Sequence, residues 1–185
     1  FIYRHLWIML ILQEINIIKH NINMLDIEDF KKKLDKKSRI MGIDPGGKRI
    51  GIAISDENKI VATPYATIIK NNYPDFIKEI KKIINEYQIK GIIIGNPINM
   101  DGSKSRSSQS AKDLAINLSK DVTENITLWD ERLSSQGAFN LSRDLSVNTS
   151  KKVKKLDENS AQFILQGALD YLTKENTWSN IIKGL

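Results

Sequence analysis

The chain has no cysteine and only two histidines, His5 and His20. Without cysteine there is no disulfide framework, no thiol nucleophile and no thiolate-bound zinc. With no histidine after residue 20, the body of the chain has no imidazole for general acid–base chemistry and lacks the commonest nitrogen ligand of zinc. Long apolar runs are missing as well. The run Leu6-Trp7-Ile8-Met9-Leu10-Ile11-Leu12 has seven residues, whereas a helix needs about 20 to span a bilayer. Arg4 precedes that run, but no small-residue cleavage site of a signal peptide follows it. Chemistry in the body must therefore come from carboxylates, lysine, arginine and hydroxyl groups.

The 185 residues are 41% hydrophobic and 27% charged, the composition of one globular domain with a full core. Lys plus Arg is 28 and Asp plus Glu is 22, a net charge of +6, with a pI near 9.4. That balance fits an anionic partner such as nucleic acid, and it equally fits a plain lysine-rich surface. The chain opens on Phe1, and Met24 begins a plausible start, Met24-Leu25-Asp26-Ile27-Glu28-Asp29-Phe30. Residues 1–23 are expected to be a non-native or disordered extension outside the working domain, and residues 24–38 a short helix or tail. Residues 39–173 are expected to form the domain, and residues 174–185 a C-terminal tail.

Within that domain, Arg39-Ile40-Met41-Gly42-Ile43 has a buried-strand pattern ending at the turn Asp44-Pro45-Gly46-Gly47. Apolar residues alternate through Arg49 to Ser55, a second strand. Asp56-Glu57-Asn58 turns the chain into a third, from Ile60 to Ile69, in which Pro64 limits pairing. Short turns between three strands predict an antiparallel meander. The period then changes. Phe76, Ile80, Ile83, Ile84 and Tyr87 recur at helical spacing, as do Ala111, Leu114, Ala115 and Leu118. Gly91 to Gly95 and Ile126 to Trp129 read as strands. Ala138, Leu141 and Leu145 suggest a further helix, residues 146–155 a polar basic loop, and Ala161, Ile164, Leu165, Ala168 and Leu172 a last helix. The predicted fold class is α/β: a mixed sheet of three antiparallel strands followed by βα units, covered by helices.

Four places on this frame could carry chemistry. Asp44 ends a buried strand at a glycine-rich turn, where open α/β sheets place their sites, although Asp-Pro-Gly is also ordinary turn chemistry. Ile94-Gly95-Asn96-Pro97-Ile98-Asn99-Met100-Asp101-Gly102 leads from a strand into a loop whose Ser103, Ser105, Ser107 and Ser108 could meet phosphate oxygens; a plain connecting loop is the alternative. Trp129-Asp130-Glu131-Arg132-Leu133-Ser134 puts two carboxylates and an arginine where a strand gives way to a helix, or else forms an exposed turn. Asp157 lies on the apolar stripe of the last helix, either as a metal ligand or as its N-cap. Acids from different strands and one helix, with no histidine nearby, form the hard oxygen set that suits Mg²⁺ or Mn²⁺.

Together these segments resemble the YqgF family, described both as Holliday-junction resolvases and as pre-16S rRNA nucleases, with an RNase H-like fold. The resemblance runs over roughly residues 39–172. It is carried by Met41-Gly42-Ile43-Asp44-Pro45-Gly46-Gly47-Lys48-Arg49-Ile50-Gly51, by Ala62-Thr63-Pro64, by Ile94 to Ser103, by Trp129 to Ser135 and by Asp157-Glu158-Asn159-Ser160-Ala161. The lead-in from Met24 to Lys37 resembles the short extension of some bacterial members. Two departures stand out. Pro45 follows the first acid, where the family usually has an aromatic or aliphatic residue, and the family's Gly-Leu-Pro reads Gly95-Asn96-Pro97.

The resemblance implies a nuclease in which Asp44, Glu131 and Asp157 are catalytic and hold Mg²⁺ or Mn²⁺. Lys48, Arg49, Asn96, Pro97, Arg132 and the basic loop residues Lys151, Lys152, Lys154 and Lys155 are the expected substrate contacts. The expected partner is nucleic acid, either pre-rRNA or junction DNA, with no membrane involved and a cytoplasmic location. The leading expectation is processing of the 5′ end of pre-16S rRNA. The alternatives are resolution of four-way DNA junctions and a nucleic-acid-binding protein without activity. An ATPase of the actin-like type is disfavoured, because a single domain lacks the second half that would close over a nucleotide.

Overall fold

The isoleucine-rich runs of this chain need cover on both sides, and the computed structural model shows how they obtain it. It describes residues 23–98, 106–131 and 159–173. In chain order the elements are β1 (Met24–Leu25), α1 (Ile27–Lys33), β2 (Arg39–Asp44), β3 (Arg49–Ser55), β4 (Ala62–Ile69), α2 (Tyr73–Tyr87), β5 (Ile89–Asn96), α3 (Arg106–Asp121) and β6 (Asn125–Asp130). A helix over 159–173, here α4, follows. The strands form one six-stranded sheet in the order β1-β6-β5-β2-β3-β4. β2, β3 and β4 are antiparallel neighbours, whereas β2–β5, β5–β6 and β1–β6 are parallel. This is the mixed sheet, three antiparallel strands followed by βα units, that the sequence implied.

The helix starts obey local chemistry. Asn72 caps α2 by accepting from the Asp75 N–H at 2.9 Å, and Pro74 occupies the first turn, where its missing N–H is harmless. The predicted stripe of α2 is buried at Phe76, Ile80, Ile83 and Ile84, and that of α3 at Ala111, Leu114, Ala115 and Leu118. These two helices cover one face of the sheet, over Met41, Ile43, Ile50, Ile52, Ile92 and Ile94. α1 and α4 cover the other, over Ile40, Ala53, Ile93 and Trp129.

β1 was not expected. Residues 24–38 are more than a tail. Met24 and Leu25 pair with Ile126 and Thr127, and the bond from the Ile126 N–H to the Asn23 carbonyl, 2.6 Å, already belongs to this edge. Asp26 caps α1 through the Asp29 N–H at 2.8 Å, and Phe30 is fully buried over Gly91. Tyr171 of α4 donates to Glu28 at 2.9 Å and ties the two helices together. A two-residue strand has no periodicity to read, and its partner lies a hundred residues away. The helix around Ala138 and Leu141, the basic loop 146–155 and the tail 174–185 lie outside the described residues. Among the described residues, no helix is long and apolar enough to cross a membrane.

Candidate active site

Side chains alternate along a strand, so Ile40, Gly42 and Asp44 point to one face and Met41 and Ile43 to the other. Asp44, the last residue of β2, therefore stands on the α4 side at the carboxyl end of a central strand. Its carbonyl accepts from the Gly46 N–H at 2.9 Å, which starts the turn into β3. A Cβ on Gly46 would run into the Arg49 carbonyl, so that turn takes only glycine. The same alternation on β6 sends Thr127, Trp129 and Glu131 to the α4 side, and Asp130 away from it.

Glu131 is located independently of this count. Its Oε1 lies 2.8 Å from the point where a Cβ on Gly95 would stand. Gly95 belongs to β5, between β2 and β6, in register with Trp129, while its neighbour Ile94 pairs with Ile43. Asp44 and Glu131 thus flank a strand that presents no side chain between them. α4 closes over the same floor. A Cβ on Gly42 would meet Leu165 Cβ at 2.6 Å and the Ala161 carbonyl at 3.2 Å, and one on Gly95 would meet Ile164 Cδ1 at 2.6 Å. Asp157 precedes Ala161 by four positions in the chain and lies outside the described residues.

The other expected contacts divide. Lys48 and Arg49 are exposed at the β2–β3 hairpin, on the rim next to Asp44. The Lys48 carbonyl accepts from the Lys70 N–H at 2.9 Å, and an open cavity lined by Gly46, Gly47, Lys48, Arg49 and Ile69 lies there. Pro97 is half-buried just past β5. Asn96 points to the opposite face. It is 6% exposed, and Ser108 of α3, buried as well, donates to its Oδ1 at 2.7 Å. The bond joins the two ends of the loop between β5 and α3. A polar residue where the family has leucine was the only sequence sign of it, and Ser108 read as a loop residue. Arg132, Lys151, Lys152, Lys154 and Lys155 lie outside the described residues, as do Asn99, Met100 and Asp101.

Asp44 and Glu131 supply hard oxygen donors with no nitrogen or sulfur ligand in the constellation, which suits Mg²⁺ or Mn²⁺ and not zinc. Among the described residues, no group of three His, Cys, Asp or Glu side chains gathers into a metal set.

The family model described as "RuvX: Holliday junction resolvase" matches residues 38–171. A protein of Pelagibacter ubique named "Putative pre-16S rRNA nuclease" is 56% identical over 149 residues, which is 80% of this chain and 99% of that protein. One of the same name from Rhodobacter capsulatus is 38% identical over 146 residues, 79% of this chain and 92% of that protein. Among solved structures, the yeast mitochondrial Holliday junction resolvase Ydc2 aligns with a TM-score of 0.48 at 10% identity, over 85% of this chain and 89% of that one. The chain belongs to the RuvX family.

Proposed function

We propose, from membership in that family, that this protein is a metal-dependent nuclease that processes the 5′ end of pre-16S rRNA in the cytoplasm. The observation that carries the proposal is the placement of Asp44 and Glu131 on one face, at the carboxyl ends of parallel strands on either side of β5. Asp157 is the proposed third carboxylate, and the three acids would hold Mg²⁺ or Mn²⁺. A divalent ion in that position polarises a phosphodiester and lowers the pKa of a bound water.

The residues of this chain then have separate tasks. Asp44 and Glu131 would present carboxylate oxygens at one site. Gly95 leaves the Glu131 carboxylate its place beside that site. Lys48 and Arg49 offer cations at its rim, and Arg132 with Lys151, Lys152, Lys154 and Lys155 is proposed to hold backbone phosphates further along the strand. Asn96 and Pro97 act at the start of the following loop, Asn96 through its bond to Ser108.

The test is cleavage of an end-labelled pre-16S rRNA fragment and, in parallel, of a four-way DNA junction, with Mg²⁺ or with chelator. Mg²⁺-dependent cleavage of the RNA is expected. Preference for the junction would favour the resolvase activity named in the family's description, and no cleavage of either would overturn the nuclease reading. Asp44→Asn should lower the rate by more than the roughly 100-fold that loss of a residue merely orienting a metal ligand causes. Asp157→Asn separates cap from ligand, because asparagine caps helices about as well as aspartate. It should fold normally and lose both cleavage and Mg²⁺-induced thermal stabilisation.

A further inference from the structure

We infer that a single-stranded RNA segment docks at the end of the sheet opposite the carboxylates, with its phosphates on the lysines at the end of α1 and in the turn after it, and one base against Tyr65 and Tyr87. Asp44 ends β2 and Arg39 begins it, so five steps of roughly 3.3 Å separate the two ends by about 17 Å. The inference rests on the nucleic-acid reading above but concerns a different surface, most of whose cations precede residue 38, where the family match begins.

The segment from the end of α1 to the start of β2 is strongly basic. Lys31, Lys32, Lys33, Lys36, Lys37 and Arg39 fall within nine residues, with Asp35 as the only acid among them. Lys32 is paired with Asp29 at 2.8 Å, whereas Lys33, Lys36 and Lys37 are exposed. The turn that bears them is built rigidly. Lys59, in the left-handed region at φ 61°, donates from Nζ to the Asp35 and Lys36 carbonyls, both at 2.7 Å. Lys59 thereby adds a seventh cation to the turn.

The same β3–β4 turn leads to a cavity. The Ser38 N–H donates to the Glu57 carbonyl at 3.0 Å, and the Arg39 guanidinium pairs with the Glu57 carboxylate at 3.0 Å. Beyond it opens a cavity of about 360 Å³ walled by Arg39, Asp56, Thr63, Pro64, Tyr65 and Tyr87. The two tyrosine rings meet edge to face, with centroids 5.0 Å apart at 74°, and Tyr65 is 37% exposed. A ring wall beside a guanidinium accepts any nucleobase by stacking. Burial works against the charge on Asp56, yet bonds from the Val61, Ile60 and Asn58 N–H groups outweigh it and hold the carboxyl below its usual range, so it stays anionic. Asp56 and Glu57 repel a phosphate from the cavity and leave it to a neutral ring, while the lysines outside take the phosphates. An acidic peptide would satisfy the lysines but has no use for an aromatic wall bordered by acids.

The test measures binding of the full chain to a short single-stranded RNA carrying a fluorescent purine analogue, in chelator, across a salt series. Lys33→Ala/Lys36→Ala/Lys37→Ala should reduce the slope of log K against log salt by about 2, since each lost single-strand phosphate contact removes about 0.7. Tyr65→Ala should leave the slope alone, weaken binding about tenfold and abolish quenching of the purine by stacking. Tyr65→Phe, which keeps the ring, should retain both and guards against a folding artefact. A wild-type slope in the triple variant, full quenching in Tyr65→Ala, or no binding by the wild-type chain would overturn the inference. Cleavage by a protein whose variants bind like wild type would sink this surface alone. Binding as described, with no cleavage of any substrate, would sink the nuclease reading and leave the surface standing.

Discussion

On the face covered by α2 and α3, the sheet presents Met41, Ile43, Ile50, Ile52, Ile92 and Ile94 to Phe76, Ile80 and Leu118. On the face covered by α1 and α4, it presents Gly42, Gly91 and Gly95 among Ile40, Ile93 and Trp129. The first face is held by bulk, with large side chains interdigitating between layers. The second is held by close approach. Phe30 sits on Gly91, Leu165 on Gly42 and Ile164 on Gly95, each nearer than a Cβ would allow. The two carboxylates stand on the second face. A floor without side chains lets a helix come down beside an acid pair. The first face can exchange volume as other cores do; the second cannot take even one added carbon at these points.

Four substitutions would break or sharpen that contrast. The largest effect should come from Phe30→Ala, which empties the space over Gly91, where no side chain below can rise to fill it. A loss of about 3–5 kcal/mol in unfolding free energy is expected from denaturant titration. A loss below 1 kcal/mol, on the scale of ordinary surface changes, would show α1 to be a loosely attached tail.

Gly42→Ala and Gly95→Ala come next, each overpacking α4 at a cost of about 1–3 kcal/mol. They should differ in function. The Gly42 methyl presses on Leu165 and the Ala161 carbonyl, so its main effect is on melting temperature. The Gly95 methyl also presses on the Glu131 carboxylate, so it should cost more cleavage than its stability loss explains. Equal cleavage by the two variants at a temperature where both are folded would remove Gly95 from the site.

The smallest effect should be Ile92→Val on the bulk face, about 0.5–1.5 kcal/mol with cleavage intact. If removing this one carbon costs more than adding one at Gly42, the contrast between the faces fails.

Much of this was legible in the residues. Alternation at Ile50, Ile52 and Ile54 marked a strand. Spacing at Phe76, Ile80, Ile83 and Ile84 marked a helix, because local periodicity records which side of an element is buried. Asp44 and Glu131 were legible as strand-end acids. The pairing of Met24 and Leu25 with β6 was not, since two residues carry no period and the partner is distant in sequence. Nor was the inward turn of Asn96 toward Ser108, which depends on where α3 lands.

By itself, the amino-acid sequence determined the elements, the order of three antiparallel strands before the βα units, and the identities of the acids, all through short-range pattern and turn chemistry. It also excluded thiol chemistry everywhere and histidine chemistry beyond residue 20, by composition alone. Only the tertiary structure decided that Gly42, Gly91 and Gly95 are seats for Leu165, Phe30 and Ile164, and that the Glu131 carboxylate lies against one of them. A glycine in a sequence looks the same whether it turns the chain, loosens it or receives a neighbour. Which of these it does is fixed by what packs above it, and that neighbour comes from elsewhere in the chain.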